Sequence, residues 1–199
     1  MIKSDLYQTC LKGGYADFFE DRVDNTKIYK VFKKYHNDND FQEQDFIEQV
    51  CESEAEAYEL AMKSPRLLNI VPTYYFVNNV VIHRLFSIDD IEISQNYYLE
   101  LFFCVELIKK ESETKTLDFL KQCKVSSTVK GIHQSILDFH EVGINYMQDS
   151  SLIFTSEHDY KFIDFALIGP DGDEDNESTF IEVDINKLIH RYTDSGFFN

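Results

Sequence analysis

Tryptophan is absent from the 199 residues, and basic side chains are scarce: 19 Lys and Arg stand against 36 Asp and Glu, a formal charge of −17. The missing positive charge argues against non-specific binding to nucleic acid or to an anionic lipid surface, because both need a cationic face. It leaves room for a basic protein partner. No two of the four cysteines, Cys10, Cys51, Cys104 and Cys123, form a C-x-x-C pair. That spacing suits neither a zinc site nor a disulfide frame, and reads as reduced thiols in a cytoplasmic protein. No apolar run approaches the roughly 20 residues that span a bilayer, and the opening MIKSDLYQ lacks the apolar stretch of a signal peptide. No internal repeat is visible. What the chain does hold is 43% hydrophobic residues, with 12 Tyr and 17 Phe supplying the bulk that Trp does not. That suffices for one large domain or two small lobes.

Along the chain, residues 11–19 carry Gly13-Gly14 between apolar residues and predict strand, tight turn, strand; adjacent glycines also let a backbone approach a ligand closely. KIYKVFKK reads as a strand whose alternation puts Ile28, Lys30 and Phe32 on one face and Tyr29 and Val31 on the other. Lysine among core residues is costly unless a carboxylate or phosphate meets it, the alternative being a stem that snorkels to water. Residues 42–64 predict a helix with Phe46, Val50, Ala57, Tyr58 and Ala61 at helical spacing, stopped by Pro65. Most of its glutamates form a solvated face, and one of them can turn toward Lys30. Further strands are expected at residues 67–71, 73–77, 80–86 and 97–107, the middle two split by Asn78-Asn79.

Residues 111–116 form a charged junction and mark a boundary between residues 1–110 and 111–199. A short helix at 117–123 follows. The next helix, capped by Ser126, Ser127 or Thr128, buries Ile132, Ile136, Leu137 and Phe139, and Gly143 closes it. His140 at its end reads as a structural histidine. The stretch 143–167, GINYMQDSSLIFTSEHDYKFIDFAL, then predicts a hairpin that brings residues 148–151 and Asp164 to one sheet edge. Carboxylates and hydroxyls so placed can hold hydrated Mg²⁺ against phosphate oxygens; an ordinary hairpin with a surface aspartate is the plainer reading.

Taken together, the glycine turn, the lysine strand KIYKVFK, the glutamate helix SEAEAYELA, LDFHEVGI, the polar loop and FIDFAL resemble, in order and spacing, the protein-kinase-like superfamily. The resemblance implies an α+β, two-lobed fold: an antiparallel-sheet N-lobe with one helix, and a short, mainly helical C-lobe. It implies ATP and Mg as cofactors, with Lys30 on the α- and β-phosphates, Glu54 (Glu56 as second choice) orienting that lysine, Asp164 on the metal, and Gly13 and Gly14 over the nucleotide.

The chain departs from that pattern. The usual three-glycine spacing is missing, and Ala166 stands where the family has glycine. After Gly143-Ile144 the expected His-Arg-Asp is replaced by NYMQDSS. Counting forward puts Gln148 at the base; counting back puts Tyr146 there and Ser151 at the second metal ligand. Asp149 is the ionisable group left in the loop to accept a proton from a substrate hydroxyl. Only 35 residues follow Asp164, a helix at 183–192 among them, so the peptide platform of the family is short.

Three functions are therefore expected in order: a pseudokinase that binds or inhibits a protein partner, such as a larger kinase system; an active atypical kinase using Asp149 as base; and a calcium-binding interaction protein. The last rests on DGDEDNESTFIE, residues 171–182, which places acidic residues at positions one, three, five and twelve of an EF-hand-like loop.

Overall fold

A computed structural model of the protein describes residues 6–36, 40–77, 91–108, 127–147, 150–155, 159–170 and 172. The fold is mixed α+β with antiparallel sheets. It divides into two compact units, Met1–Ala55 with Thr73–Leu107, and Glu56–Pro72 with Ile108–Asn199. The expected strand at 80–86, the junction at 111–116 and the helices at 117–123 and 183–192 lie outside the described residues.

In the first unit, strands β1 (Leu6–Lys12), β2 (Ala16–Asp21), β3 (Lys27–Lys33), β6 (Tyr74–Tyr75) and β7 (Tyr97–Glu106) form one antiparallel sheet in the order β1-β2-β3-β7-β6. Gly13 makes the first hairpin possible. Its N–H donates to the Ala16 carbonyl at 2.9 Å, and a Cβ there would sit 2.8 Å from that same oxygen. The second hairpin is built from side chains. Asp21 Oδ1 accepts the N–H groups of Val23 and Asp24 at 2.8 and 3.0 Å, and Asp24 in turn takes the Lys27 ammonium at 2.8 Å. That lysine and the Thr26 hydroxyl hold the Asp24 carboxyl down at about 2.

The meander leaves β3 in the middle of the sheet, so both of its faces are covered. On one face Phe19, Tyr29, Val31, Tyr97 and Cys104 pack into a core. On the other lies α1 (Gln44–Lys63), and the division between the units falls within this helix. Of the expected inward positions, Val50, Ala57, Tyr58 and Ala61 are buried, whereas Phe46 is half-buried and its neighbour Ile47 takes the buried place. Three small elements escape the sequence pattern: β4 (Tyr35–His36) paired with β5 (Asp40–Phe41), and α2 (Ile91–Asn96) leading into β7.

In the second unit, α3 (Ser127–Glu141) buries Ile132, Ile136 and Phe139 and leaves Leu137 half-buried. Gly143 ends it at φ 88°, a left-handed turn that lets Ile144 N–H return to the Phe139 carbonyl at 3.0 Å. The predicted hairpin forms from β8 (Ser151–Phe154) and β9 (Tyr160–Ile163). Phe139 meets Phe162 and Phe165 at ring-centroid distances of 5.1 and 4.9 Å, and Phe165 meets Tyr58 at 4.4 Å.

Residues 67–71 correct an expectation: they form successive turns, not a strand. Leu67 and Leu68 N–H both reach the Ser64 carbonyl, and Ile70 N–H reaches Leu67. Strand alternation would have carried Asn69 inward with Leu67 and Val71. Turns bury the two apolar residues and leave Asn69 exposed. The carbonyls freed this way are not wasted, because Phe162 N–H donates to Ile70 O and Lys161 Nζ to Val71 O, each at 2.8 Å. Of the strand expected at 73–77, only Tyr74–Tyr75 joins the sheet.

Candidate functional site

Two groups of the predicted residues come together, one in each unit. In the first, the central position of β3 fixes Lys30 opposite Phe18 of β2 and Phe103 of β7. Its side chain points to the α1 face, where its Nζ meets Glu54 Oε2 at 2.5 Å. Both side chains are largely buried, at 10% and 14% exposure. The rings of Phe18, Phe32 and Phe103 lie 5.6, 5.7 and 6.0 Å from the ammonium, close enough for their negative faces to stabilise it.

Charge that is this desolvated persists only when its partner is close and well aligned. Glu54 supplies that partner, which settles the choice between a snorkelling stem and a paired lysine in favour of the pair. Glu56, the second choice, is exposed. Cys51 lies one helical turn before Glu54. Burial, and then the Glu54 carboxylate, push its thiol up to about 12, Lys30 opposing. It is therefore a neutral, inert neighbour and no nucleophile.

In the second unit the backbone brackets Asp164. Ser151 pairs with Ile163 on one side of it, and Tyr146 bridges to Ala166 on the other, with N–H···O distances of 3.1 Å in both directions. Asp164 itself adopts φ 57°, the one non-glycine positive φ among the described residues. A left-handed aspartate is uncommon outside turns and functional sites. Here it is over-determined: Phe165 is fully buried against Tyr58 and Phe139, so the chain must turn sharply at Asp164 to reach that pocket from β9.

The polar loop is thus anchored at both of its ends. Within it, Met147 and Ser150 are buried, and Ser150 Oγ donates to the Met147 carbonyl at 2.6 Å. Tyr146, reached by counting back to the base position, is buried with its ring against Gly169. Any Cβ at Gly169 would fall 2.3 Å from a ring carbon. Gln148 and Asp149 lie outside the described residues, as does the acidic loop 171–182 apart from Gly172. Ser151 is described as the first residue of β8.

No cluster of three or more His, Cys, Asp or Glu occurs among the described residues. Mg²⁺ needs no such cluster, because one or two carboxylates, phosphate oxygens and water complete its shell. Gly13 serves the hairpin turn, with its N–H committed to Ala16.

One polar set was missed by sequence reasoning. On the other face of β3, Lys33 Nζ lies 3.8 Å from Asp17 Oδ1, and Tyr97 O–H donates to Asp17 Oδ2 at 2.5 Å. Asp17 and Lys33 are more deeply buried than the Lys30 pair, at 3% and 5% side-chain exposure. The available signal was the alternation itself: Lys33 shares a face with Tyr29 and Val31, just as Lys30 shares one with Ile28 and Phe32.

No protein-family model matches the chain, and comparison with curated proteins returns no match. Among the described residues, no helix is long and apolar enough to cross a membrane.

Proposed function

We propose that this protein is a kinase-like module that binds Mg-ATP without efficient phosphoryl transfer, and that it acts by docking on a protein partner. The observation that carries the reading is the buried Lys30–Glu54 pair: a strand lysine met by a helix glutamate 24 residues later, in the order the kinase resemblance requires. Lysine in this setting is a fixed point charge suited to phosphate oxygens, and the glutamate keeps it from collapsing onto other acceptors.

Asp164, held left-handed at the end of a hairpin, is the candidate metal ligand. Bound ATP and Mg²⁺ would supply the phosphoryl group and the charge that stabilises its transfer. Counting back from Asp164 puts Tyr146, a buried residue, at the base position and counting forward from Gly143 puts Gln148 there, so neither count supplies a carboxylate. Weak or absent transfer is the expected consequence, because neither a phenol nor an amide side chain is an effective general base at neutral pH.

Thermal-shift titration with ATP, with and without Mg²⁺, tests binding, and release of labelled phosphate or its transfer to a generic acceptor tests turnover. A Mg-dependent shift without turnover is expected. Turnover abolished by Asp149→Ala would replace this reading with an active atypical kinase.

A further inference from the structure

We propose that the exposed aromatic face of the β4–β5 hairpin is a docking surface for an arginine-bearing segment of a partner protein. Strand alternation sorts the side chains of the hairpin onto two faces. On one, His36 stacks on the Tyr15 ring at 4.4 Å between centroids, and Tyr15 in turn meets Phe46 of α1 at 5.8 Å, so that face looks onto the protein. On the other, Tyr35 and Phe41 lie directly opposite each other in the register and meet edge to face at 5.6 Å. They remain 37% and 53% exposed, two large rings side by side in water.

The surface is pre-formed. Lys34 N–H donates to the Asn96 carbonyl, Gln42 N–H to the Lys34 carbonyl and Tyr98 O–H to the Gln42 carbonyl, each at 2.8 Å, which ties the base of the hairpin to the start of β7. The same ties bring carboxylates beside the rings. Glu43 follows the hairpin directly, and Glu100 on β7 accepts from Gln44 Nε2 at 3.1 Å. Burial pushes the Tyr98 phenol up, and the nearby Glu43 and Glu100 carboxylates and the Tyr35 phenol add to the shift. Lys34 is the cation of the set; its ammonium lies 5.3 Å from the Tyr98 ring centroid and donates to the Ser94 carbonyl at 2.8 Å. Against that one lysine stand the exposed Asp40, Glu43 and Glu100, so the patch is negative.

That combination selects the occupant. A guanidinium stacks flat on an aromatic ring while its N–H fork pairs with carboxylates at the rim, and an ammonium lacks the planar fork. A second copy of this chain would bring the same carboxylates, at a formal charge of −17 per molecule, to a self-repelling interface. The proposal gives the partner-docking reading above a surface and a partner chemistry, and it rests on that part of the reading while needing no nucleotide.

Fluorescence anisotropy on the full chain tests it, with a labelled hexapeptide of alternating Gly and Arg as the probe and Gly–Lys and Gly–Glu hexapeptides for comparison. Saturable binding of the Gly–Arg peptide is expected, at least threefold tighter than the Gly–Lys peptide, with none of the Gly–Glu peptide. Tyr35→Ala with Phe41→Ala removes both rings and no charge, and should weaken binding at least fivefold. Glu43→Gln with Glu100→Gln should do the same. Glu52→Gln with Glu56→Gln makes an equal change of charge more than two turns further along α1, and should stay within twofold of wild type. If the alanine pair lowers the urea midpoint, Tyr35→Leu with Phe41→Leu, which keeps apolar bulk, should still weaken binding at least threefold.

Equal binding by all of these variants would mean attraction to an acidic protein at large and would overturn the surface. Equal affinity for the Gly–Lys peptide would overturn the choice of arginine, and dimers in sedimentation that the ring variants disperse would hand the surface to a second copy. Mg-ATP binding on the same samples reports separately on the nucleotide reading. Its absence leaves the surface standing, and loss of peptide binding alone leaves that reading standing, with docking moved to another face.

Discussion

Strand β3 carries two buried lysines three residues apart, one on each face of the same sheet, and they are held in different ways. Lys30 meets the Glu54 carboxylate at 2.5 Å, and the rings of Phe18, Phe32 and Phe103 lie within about 6 Å of its ammonium. Lys33 faces Asp17 at a longer 3.8 Å, and that carboxylate is shared with the Tyr97 hydroxyl. The Lys33 set is the deeper of the two and is knitted from β2, β3 and β7, three neighbouring strands. The Lys30 pair joins a strand to a helix. Burial of a lysine is thus no signature of function. What separates the two is the partner's access to solvent and its element: Glu54 sits on a helix at 14% side-chain exposure, whereas Asp17 lies on a sheet strand at 3%. We take the first as poised for a ligand and the second as architecture.

That contrast can be broken in several ways. The largest effect is expected from Asp17→Ala. It removes the carboxylate that faces the buried Lys33 and should cost about 3–5 kcal/mol of stability, read from urea unfolding. Tyr97→Phe removes a hydrogen bond to a buried carboxylate and should cost about 2 kcal/mol, with nucleotide binding unaltered at temperatures where the variant is folded. A loss of binding in Tyr97→Phe would erase the distinction between the two faces.

Smaller in stability but sharper in meaning is the double replacement Lys30→Met with Glu54→Leu. Swapping a buried ion pair for apolar residues of similar volume is often neutral or stabilising, by about 1–4 kcal/mol, so the unfolding midpoint should hold or rise while Mg-ATP binding disappears. Marked destabilisation would assign the pair to architecture as well.

Among the described residues, a buried thiol lies on each side. Burial pushes both Cys51, beside the Lys30 pair, and Cys104, in the core on the Lys33 face, up to about 12. Such a thiol binds its proton more tightly in the fold than in the unfolded chain. Its contribution is therefore complete below the ordinary thiol value of 9.0 and fades as pH rises from there toward about 12. Urea midpoints should decline over that alkaline range. The decline should be shallower in Cys51→Ala with Cys104→Ala, and both thiols should resist disulfide reagents at pH 8.

Much of this was legible in the sequence where a pattern is local. KIYKVFKK showed its alternation, the helix at residues 42–64 showed its 3.6-residue period, and Gly143 and the hairpin before Asp164 showed their turn chemistry. The Lys30–Glu54 pair followed from the kinase resemblance together with the cost of burying a lysine. Other features were hidden for physical reasons. Asp17 and Tyr97 are 80 residues apart, and a charged residue read by itself defaults to the surface. Residues 67–71 looked like a strand because an apolar run has no unique period, and only the exposure of Asn69 separates turns from extended chain. The left-handed backbone of Asp164 carries no local mark, since aspartate tolerates that conformation without requiring it; the burial of Phe165 forces it.

The most direct trial of the account is calorimetric titration of Mg-ATP into the wild-type protein, Lys30→Met and Lys33→Met, side by side at a temperature where all three are folded. The account predicts saturable, Mg-dependent binding by wild type, at least a tenfold loss in Lys30→Met, and an affinity within twofold of wild type in Lys33→Met. No binding by the wild type, or equal effects of the two substitutions, would contradict it.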